Sequence, residues 1–160
     1  MRKKVELSAY SIVISAFGMS ILCFVLCLQV SRDDLNWLSW TIFGVIISLC
    51  FCVLFYSPLS LSLSDSALSV NRLLRVRRIP LSEIESVRLC PPTMGAKRIF
   101  GSGGWFGYYG WFSEGDLGKY FAYYGKSSDC FLVTLKNGMK YMLGCKDAPE
   151  MVEAIRKWLK

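Results

Sequence analysis

At residues 55–64 the chain reads Phe55-Tyr56-Ser57-Pro58-Leu59-Ser60-Leu61-Ser62-Leu63-Ser64. Two kinds of order meet there. Up to Tyr56 the run is solidly apolar, as in a helix with apolar side chains on every side. From Leu59 leucine and serine alternate strictly, the pattern of a strand with one buried face and one wet face. Proline does not continue a helix interior. The passage therefore ends a helix near Ser57-Pro58 and opens a sheet at once, with no flexible linker between them.

Working towards the N-terminus, no charged residue falls between Asp34 and Asp65, and none between Glu6 and Arg32. A membrane-crossing helix needs about 20 mostly apolar residues, and each stretch is long enough. Only Ser31-Arg32-Asp33-Asp34 separates them. The expectation is a transmembrane α-hairpin over residues 1–57, with spans at about 8–30 and 36–57, followed by a domain over 58–160. A cleaved signal peptide fits poorly. The apolar run after Met1-Arg2-Lys3-Lys4 is too long, and no small-x-small cleavage site follows it. A lipoprotein-type signal fails too, because Leu22 and Leu26 precede Cys23 and Cys27. Arg2, Lys3 and Lys4 lie before the first span and Arg72, Arg75, Arg77 and Arg78 after the second, while the link holds Arg32 beside two aspartates. The positive-inside rule then expects both termini in the cytoplasm, and a multi-pass protein of the cytoplasmic (inner) membrane. Trp37, Trp40 and Tyr56 sit near the ends of the second span, where aromatic side chains favour the membrane interface.

The composition agrees with a membrane setting. Of 160 residues 53% are hydrophobic, and the formal net charge is +7. The mean hydropathy is +0.37. Basic surface close to a membrane is drawn to its anionic lipids. Nucleic acid is not expected as a partner, because the scattered lysines form no recognised nucleic-acid motif. There are seven cysteines and no histidine. Cys23, Cys27, Cys50 and Cys52 fall in the apolar stretches, where a thiol acts as a small hydrophobe. The spacing of Cys90, Cys130 and Cys145 fits neither zinc nor a disulfide framework, so no metal is expected. Unpaired thiols suit a reducing compartment.

Beyond Leu59 strand signals recur. Ala67–Val70 follows an Asp65-Ser66 turn. Leu73–Ile79 is rich in arginine, and Pro80-Leu81-Ser82-Glu83 breaks it. Ile84–Leu89 ends at Cys90-Pro91-Pro92. A glycine-aromatic region runs from Gly95 to about Gly118, read as a loop. Lys119–Tyr124 is strand-like, and Phe131–Leu135 and Met139–Leu143 alternate about Asn137-Gly138. That dipeptide predicts a hairpin with a type I′ turn. Asp147-Ala148-Pro149-Glu150 reads as a helix start. Met151, Ala154, Ile155, Trp158 and Leu159 follow as one apolar stripe that would cover a sheet.

These elements resemble a known architecture. Gly101-Ser102-Gly103-Gly104-Trp105-Phe106-Gly107, Gly110, Gly118-Lys119-Tyr120-Phe121, the Asn137-Gly138 hairpin and Asp147-Ala148-Pro149-Glu150 look like a family of bacterial pleckstrin-homology (PH-like) domains. Ile79-Pro80-Leu81-Ser82-Glu83-Ile84-Glu85-Ser86-Val87 resembles the segment that opens the fourth strand of such domains. The resemblance covers roughly residues 59–159. It implies an α+β domain: an antiparallel, partly open barrel of about seven strands capped by a C-terminal helix. It also implies a membrane setting, with two spans ahead of the domain. It does not imply a defined activity.

Two groups of residues are candidates for contact with lipid or a partner. Gly101, Gly104, Gly107 and Gly110 recur every third residue, and Trp105, Phe106, Tyr108, Tyr109, Trp111 and Phe112 lie among them. These aromatics either fill the domain's own core or form an exposed aromatic loop. Nucleotide binding is not indicated. Phe106 stands where a dinucleotide fingerprint needs its third glycine, and Gly118-Lys119 lacks the rest of a P-loop. The second group is Arg72, Arg75, Arg77 and Arg78. It reads either as a solvated strand face or as a site of diffuse attraction to anionic lipid. In eukaryotic PH domains the phosphoinositide site uses basic residues on the first two strands and the loop between them; that loop here is the short, acidic Asp65-Ser66, which disfavours phosphoinositide-like headgroup binding. Catalysis finds no support, since histidine is absent and no carboxylate pair has an activating neighbour. No cofactor is expected. The expected function is a binding or scaffolding module at the inner membrane face, with a protein partner or self-association. The alternatives are an accessory subunit of a transporter or enzyme complex, and a sensor of envelope state.

Overall fold

The computed structural model describes residues 1–31 and 37–159. The link read at Arg32-Asp33-Asp34 lies outside the described residues. The chain opens with strand β1 (Arg2–Lys4), then two helices, α1 (Ala9–Val30) and α2 (Trp37–Tyr56). The sheet elements follow: β2 (Pro58–Leu63), β3 (Ala67–Arg72), β4 (Val76–Pro80), β5 (Ile84–Leu89), β6 (Lys97–Gly104), β7 (Gly107–Glu114), β8 (Gly118–Tyr124), β9 (Cys130–Leu135) and β10 (Lys140–Gly144). Helix α3 (Ala148–Leu159) closes the chain.

Helix α1 starts where Ser8 caps it, its hydroxyl accepting from the Ser11 amide at 3.1 Å. Its eighteen-residue apolar window has a hydropathy of 2.5 and is only 11% buried. Among the described residues it is the one helix long and apolar enough to cross a membrane; α2 contributes a shorter apolar stretch, Trp37–Val53. Helix α2 ends at Tyr56 and β2 opens at Pro58, as the change of period at Pro58 predicts.

The strands form two open sheets rather than a closed barrel. One has the order β1-β2-β3-β4, the other β5-β9-β10-β8-β7-β6. The seven strands read from the sequence correspond to β2–β5 and β8–β10. The additional strands have clear reasons. β6 and β7 occupy the glycine-aromatic segment, where the glycines interrupt any period-two pattern. β1 is three residues long and pairs with β2, Lys3 opposite Leu61. The second sheet is not wholly antiparallel, since β8 and β10 run parallel. The Asn137-Gly138 hairpin forms, with a different turn. Only Gly138 has positive φ, at 80°. Its amide donates to the Leu135 carbonyl at 2.8 Å, a type I turn followed by a left-handed glycine.

The main core lies between the two sheets and α3. Leu61, Leu68, Val70 and Ile79 meet Val87, Phe131, Val133 and Leu143, with Met151 and Ile155 of α3 against them. A second cluster, with Phe112, Tyr120, Leu132 and Met142, makes the other face of the second sheet apolar as well. The N-terminal segment ties the sheets together. Val5 donates to the Leu59 carbonyl at 3.0 Å, the Lys146 amide donates to the Lys4 carbonyl at 2.9 Å, and the Ser8 amide to the Gly125 carbonyl at 3.0 Å. The Lys3 ammonium bridges Asp147 at 3.1 Å and Glu150 at 2.5 Å at the start of α3.

Candidate functional site, an arginine–aromatic pocket

Alternation along β3 sends Leu68, Val70 and then Arg72 to the inward face. In β4, Arg77 stands opposite Val70 and Ile79 opposite Leu68, so Arg77 shares that inward face. The two arginines thus continue the core stripe where the apolar core runs out. Arg72 is 9% exposed. Its guanidinium carbon lies 5.4 Å from the Tyr123 ring centre and 5.8 Å from that of Tyr56. Nη1 donates to the Tyr123 hydroxyl at 3.4 Å, and Nε is buried without a partner. Arg77 donates from Nη2 to the Tyr141 hydroxyl at 3.0 Å. Arg75, Arg77 and Arg78 are all exposed, unlike Arg72, and line the same cavity of about 390 Å³, whose walls include Trp111 and Phe121. Burial pushes the Tyr123 phenol upward, against the pull of Arg72 and Arg77, so it stays a neutral hydroxyl at physiological pH.

The charge balance of this pocket is one-sided. Among the described residues no carboxylate pairs with Arg72, Arg75, Arg77 or Arg78. Removing a guanidinium from water costs on the order of several kcal/mol. A cation over a tyrosine ring returns roughly 0.5–2 kcal/mol. The two rings beside Arg72 offset only part of the cost, so an anion delivered to the pocket would be bound by a cation already desolvated and oriented.

The pocket sits at the end of α2. Pro58, two residues after that helix, pairs with Arg72, and Tyr56 is shared between the helix end and the pocket wall. The turn between β3 and β4 carries Leu73 and Leu74, 58% and 53% exposed, between Arg72 and Arg75.

The glycine-aromatic segment is a hairpin, and its six aromatics divide among four environments. Tyr109 and Phe112 are buried, Tyr109 stacked on Tyr56 at 6.1 Å and Phe112 on Tyr120 at 6.1 Å. Tyr108 is half-buried on Tyr124 at 4.7 Å. Trp105 and Phe106 form the tip and dock against the helices. The Phe106 amide donates to Ser15 Oγ of α1 at 2.7 Å, the Ser57 hydroxyl donates to the Phe106 carbonyl at 2.9 Å, and the Trp105 indole lies against Gly18. Trp111, 36% exposed, packs edge-on to Phe121 and is the one of the six that lines the arginine pocket.

The structure therefore brings the four arginines together with Trp111 and leaves the other five aromatics in other environments. It adds Tyr56, Phe121, Tyr123 and Tyr141, which sequence reasoning did not assign to a site. The available signal was Leu68-x-Val70-x-Arg72, an arginine in the inward register of a strand. Elsewhere, the buried Glu114 accepts from the Thr93 amide at 3.1 Å and from the Thr93 hydroxyl, which pins the loop ahead of β6. No group of three or more metal-ligating side chains occurs among the described residues.

A family model described as a bacterial PH domain matches residues 59–159, from β2 to the end of α3. No curated protein and no solved structure matches the chain.

Proposed function

The chain belongs to the bacterial PH domain family, and we propose that it is a non-catalytic binding module held at the inner face of the cytoplasmic membrane by α1 and α2. The observation that carries this reading is the apolar surface of α1. A core helix of a soluble domain is covered by its neighbours, whereas the apolar window of α1 is 11% buried. Hydrocarbon is the medium in which such a surface is stable. A removable leader is a poor fit, because β1 ahead of α1 pairs with β2 beyond α2. That pairing supports a topology in which the N-terminus and the PH domain share one side of the bilayer. Arg2, Lys3, Lys4 and the Arg72–Arg78 segment then share that side, which favours the cytoplasm.

Two measurements test this. Alkaline carbonate should leave the protein in the membrane pellet. In intact cells an impermeant maleimide should give Ser64→Cys no more label than the unsubstituted protein, and lysis should add label. Release by carbonate, or extra labelling of Ser64→Cys before lysis, would overturn the reading.

A further inference from the structure

We propose that the pocket between Arg72 and Arg77 holds the phosphate of an anionic glycerophospholipid drawn from the leaflet the domain faces. The inference rests on the membrane reading above and names the ligand of that module. Three observations carry it.

The first is the unpaired charge. Arg72 is 9% exposed, its Nε has no partner, and among the described residues no carboxylate offsets it. A guanidinium presents several donors in one plane, which suits phosphate oxygens. Arg77, Arg75 and Arg78 converge on the same cavity and supply further positive charge. The second is the choice of walls. Tyr56, Tyr123 and Tyr141 present hydroxyls and rings, and no acidic side chain lines the cavity to repel an anion. The third is position. The rim joins the end of α2 through Tyr56, and the exposed Leu73-Leu74 turn stands beside it. A soluble anion has no use for that apolar rim, whereas a phospholipid brings acyl chains with its phosphate. The pocket is also distant from the Asp65-Ser66 turn, which lies at the opposite end of β3 from Arg72.

The test uses the full chain purified in a nonionic detergent and titrated by calorimetry. The probes are short-chain phosphatidylglycerol, short-chain phosphatidylcholine and inorganic phosphate. We expect phosphatidylglycerol to bind about tenfold or more tightly than phosphatidylcholine, and Arg77→Gln to remove about tenfold of that affinity. Lys157→Gln, an exposed change on α3, should leave binding as it was. Arg72→Met, with folding checked by circular dichroism, should abolish the preference for phosphatidylglycerol. Equal binding of the two lipids overturns the proposal, as does an undiminished preference in Arg77→Gln. Displacement of phosphatidylglycerol by millimolar inorganic phosphate would assign the site to a free anion and overturn the lipid source. Because binding is measured in detergent, failure here leaves the membrane reading standing. Release of the chain by carbonate would sink that reading, and with it the leaflet as the source of the lipid, whatever the calorimetry shows.

Discussion

At the scale of single residues, Gly101 and Gly110 decide whether the β6–β7 hairpin exists. They face each other in the register, with φ of 129° and 121°. A Cβ on Gly110 would stand less than 3.0 Å from the Phe100 carbonyl oxygen, and one on Gly101 equally close to that of Tyr109. The obstacle is backbone, so no side-chain movement relieves it. Left-handed strain adds to the clash. Gly110→Ala is expected to destabilise the domain by about 3 kcal/mol or more, read as a lower denaturation midpoint. Gly115 serves as the control. A Cβ there would meet nothing within 4 Å, so Gly115→Ala should change little.

At the scale of elements, the hairpin tip and α1 are joined by polar groups rather than by a large apolar interface. Ser11 and Ser15 are buried on the face of α1 that meets the hairpin. Ser15 donates to the Ser11 carbonyl at 2.6 Å and accepts from the Phe106 amide at 2.7 Å. Phe106 has φ of 53°, a strained value for a non-glycine residue. Ser15→Ala removes the acceptor of a part-buried amide and is expected to cost about 1–3 kcal/mol. Hydrogen exchange should report faster exchange at Phe106, while amides of β9 and β10 stay protected. Unchanged exchange at Phe106 would mean that Ser57 and the contact of Trp105 with Gly18 hold the tip without Ser15.

At the scale of the whole molecule, stability should depend on pH on the alkaline side. Burial pushes the Cys145 thiol from 9.0 up to about 12, against the pull of Lys3. Burial also raises Cys130, with Asp129 adding to the effect, and it raises the Tyr120 and Tyr124 phenols above their ordinary 10.0. Each of these groups is held neutral in the folded state and ionises more readily once unfolded. Between the unfolded and folded values the native state binds more protons, so stability falls as pH rises. Lys3 acts in the same direction. Its hydrogen bonds to Glu150 and Asp147 raise its pKa, and their contribution is present at neutral pH and lost as pH rises through the folded value. The thermal midpoint is therefore expected to hold level from pH 7 to about 8.5 and to fall above about 9. Differential scanning fluorimetry across pH 7–11 checks this, and a midpoint that rises over that interval would contradict it.

Much of this protein was legible along the chain, because the relevant signals are local. The uncharged lengths before Arg32 and before Asp65 mark the two apolar helices. The change from solid to alternating apolarity at Pro58 marks the junction of helix and sheet. Stripe and start residues mark α3, and the glycine pattern with the flanking strands carried the family resemblance. What the chain did not disclose depends on pairing between distant segments. Three residues, Arg2–Lys4, have no period of their own, and they become a strand only because β2 lies some sixty residues away in register with them. The parallel contact of β8 with β10 and the hairpin hidden among the glycines have the same origin. So does the pocket. The sequence alone showed four arginines and six aromatics as two separate groups. Only the stacking of the sheets placed Arg72 between Tyr56 and Tyr123, sent Tyr109 and Phe112 into cores, and left Trp111 facing the guanidinium groups. A side chain's face within a strand follows from local alternation, but what it meets there follows from which sheet folds over it.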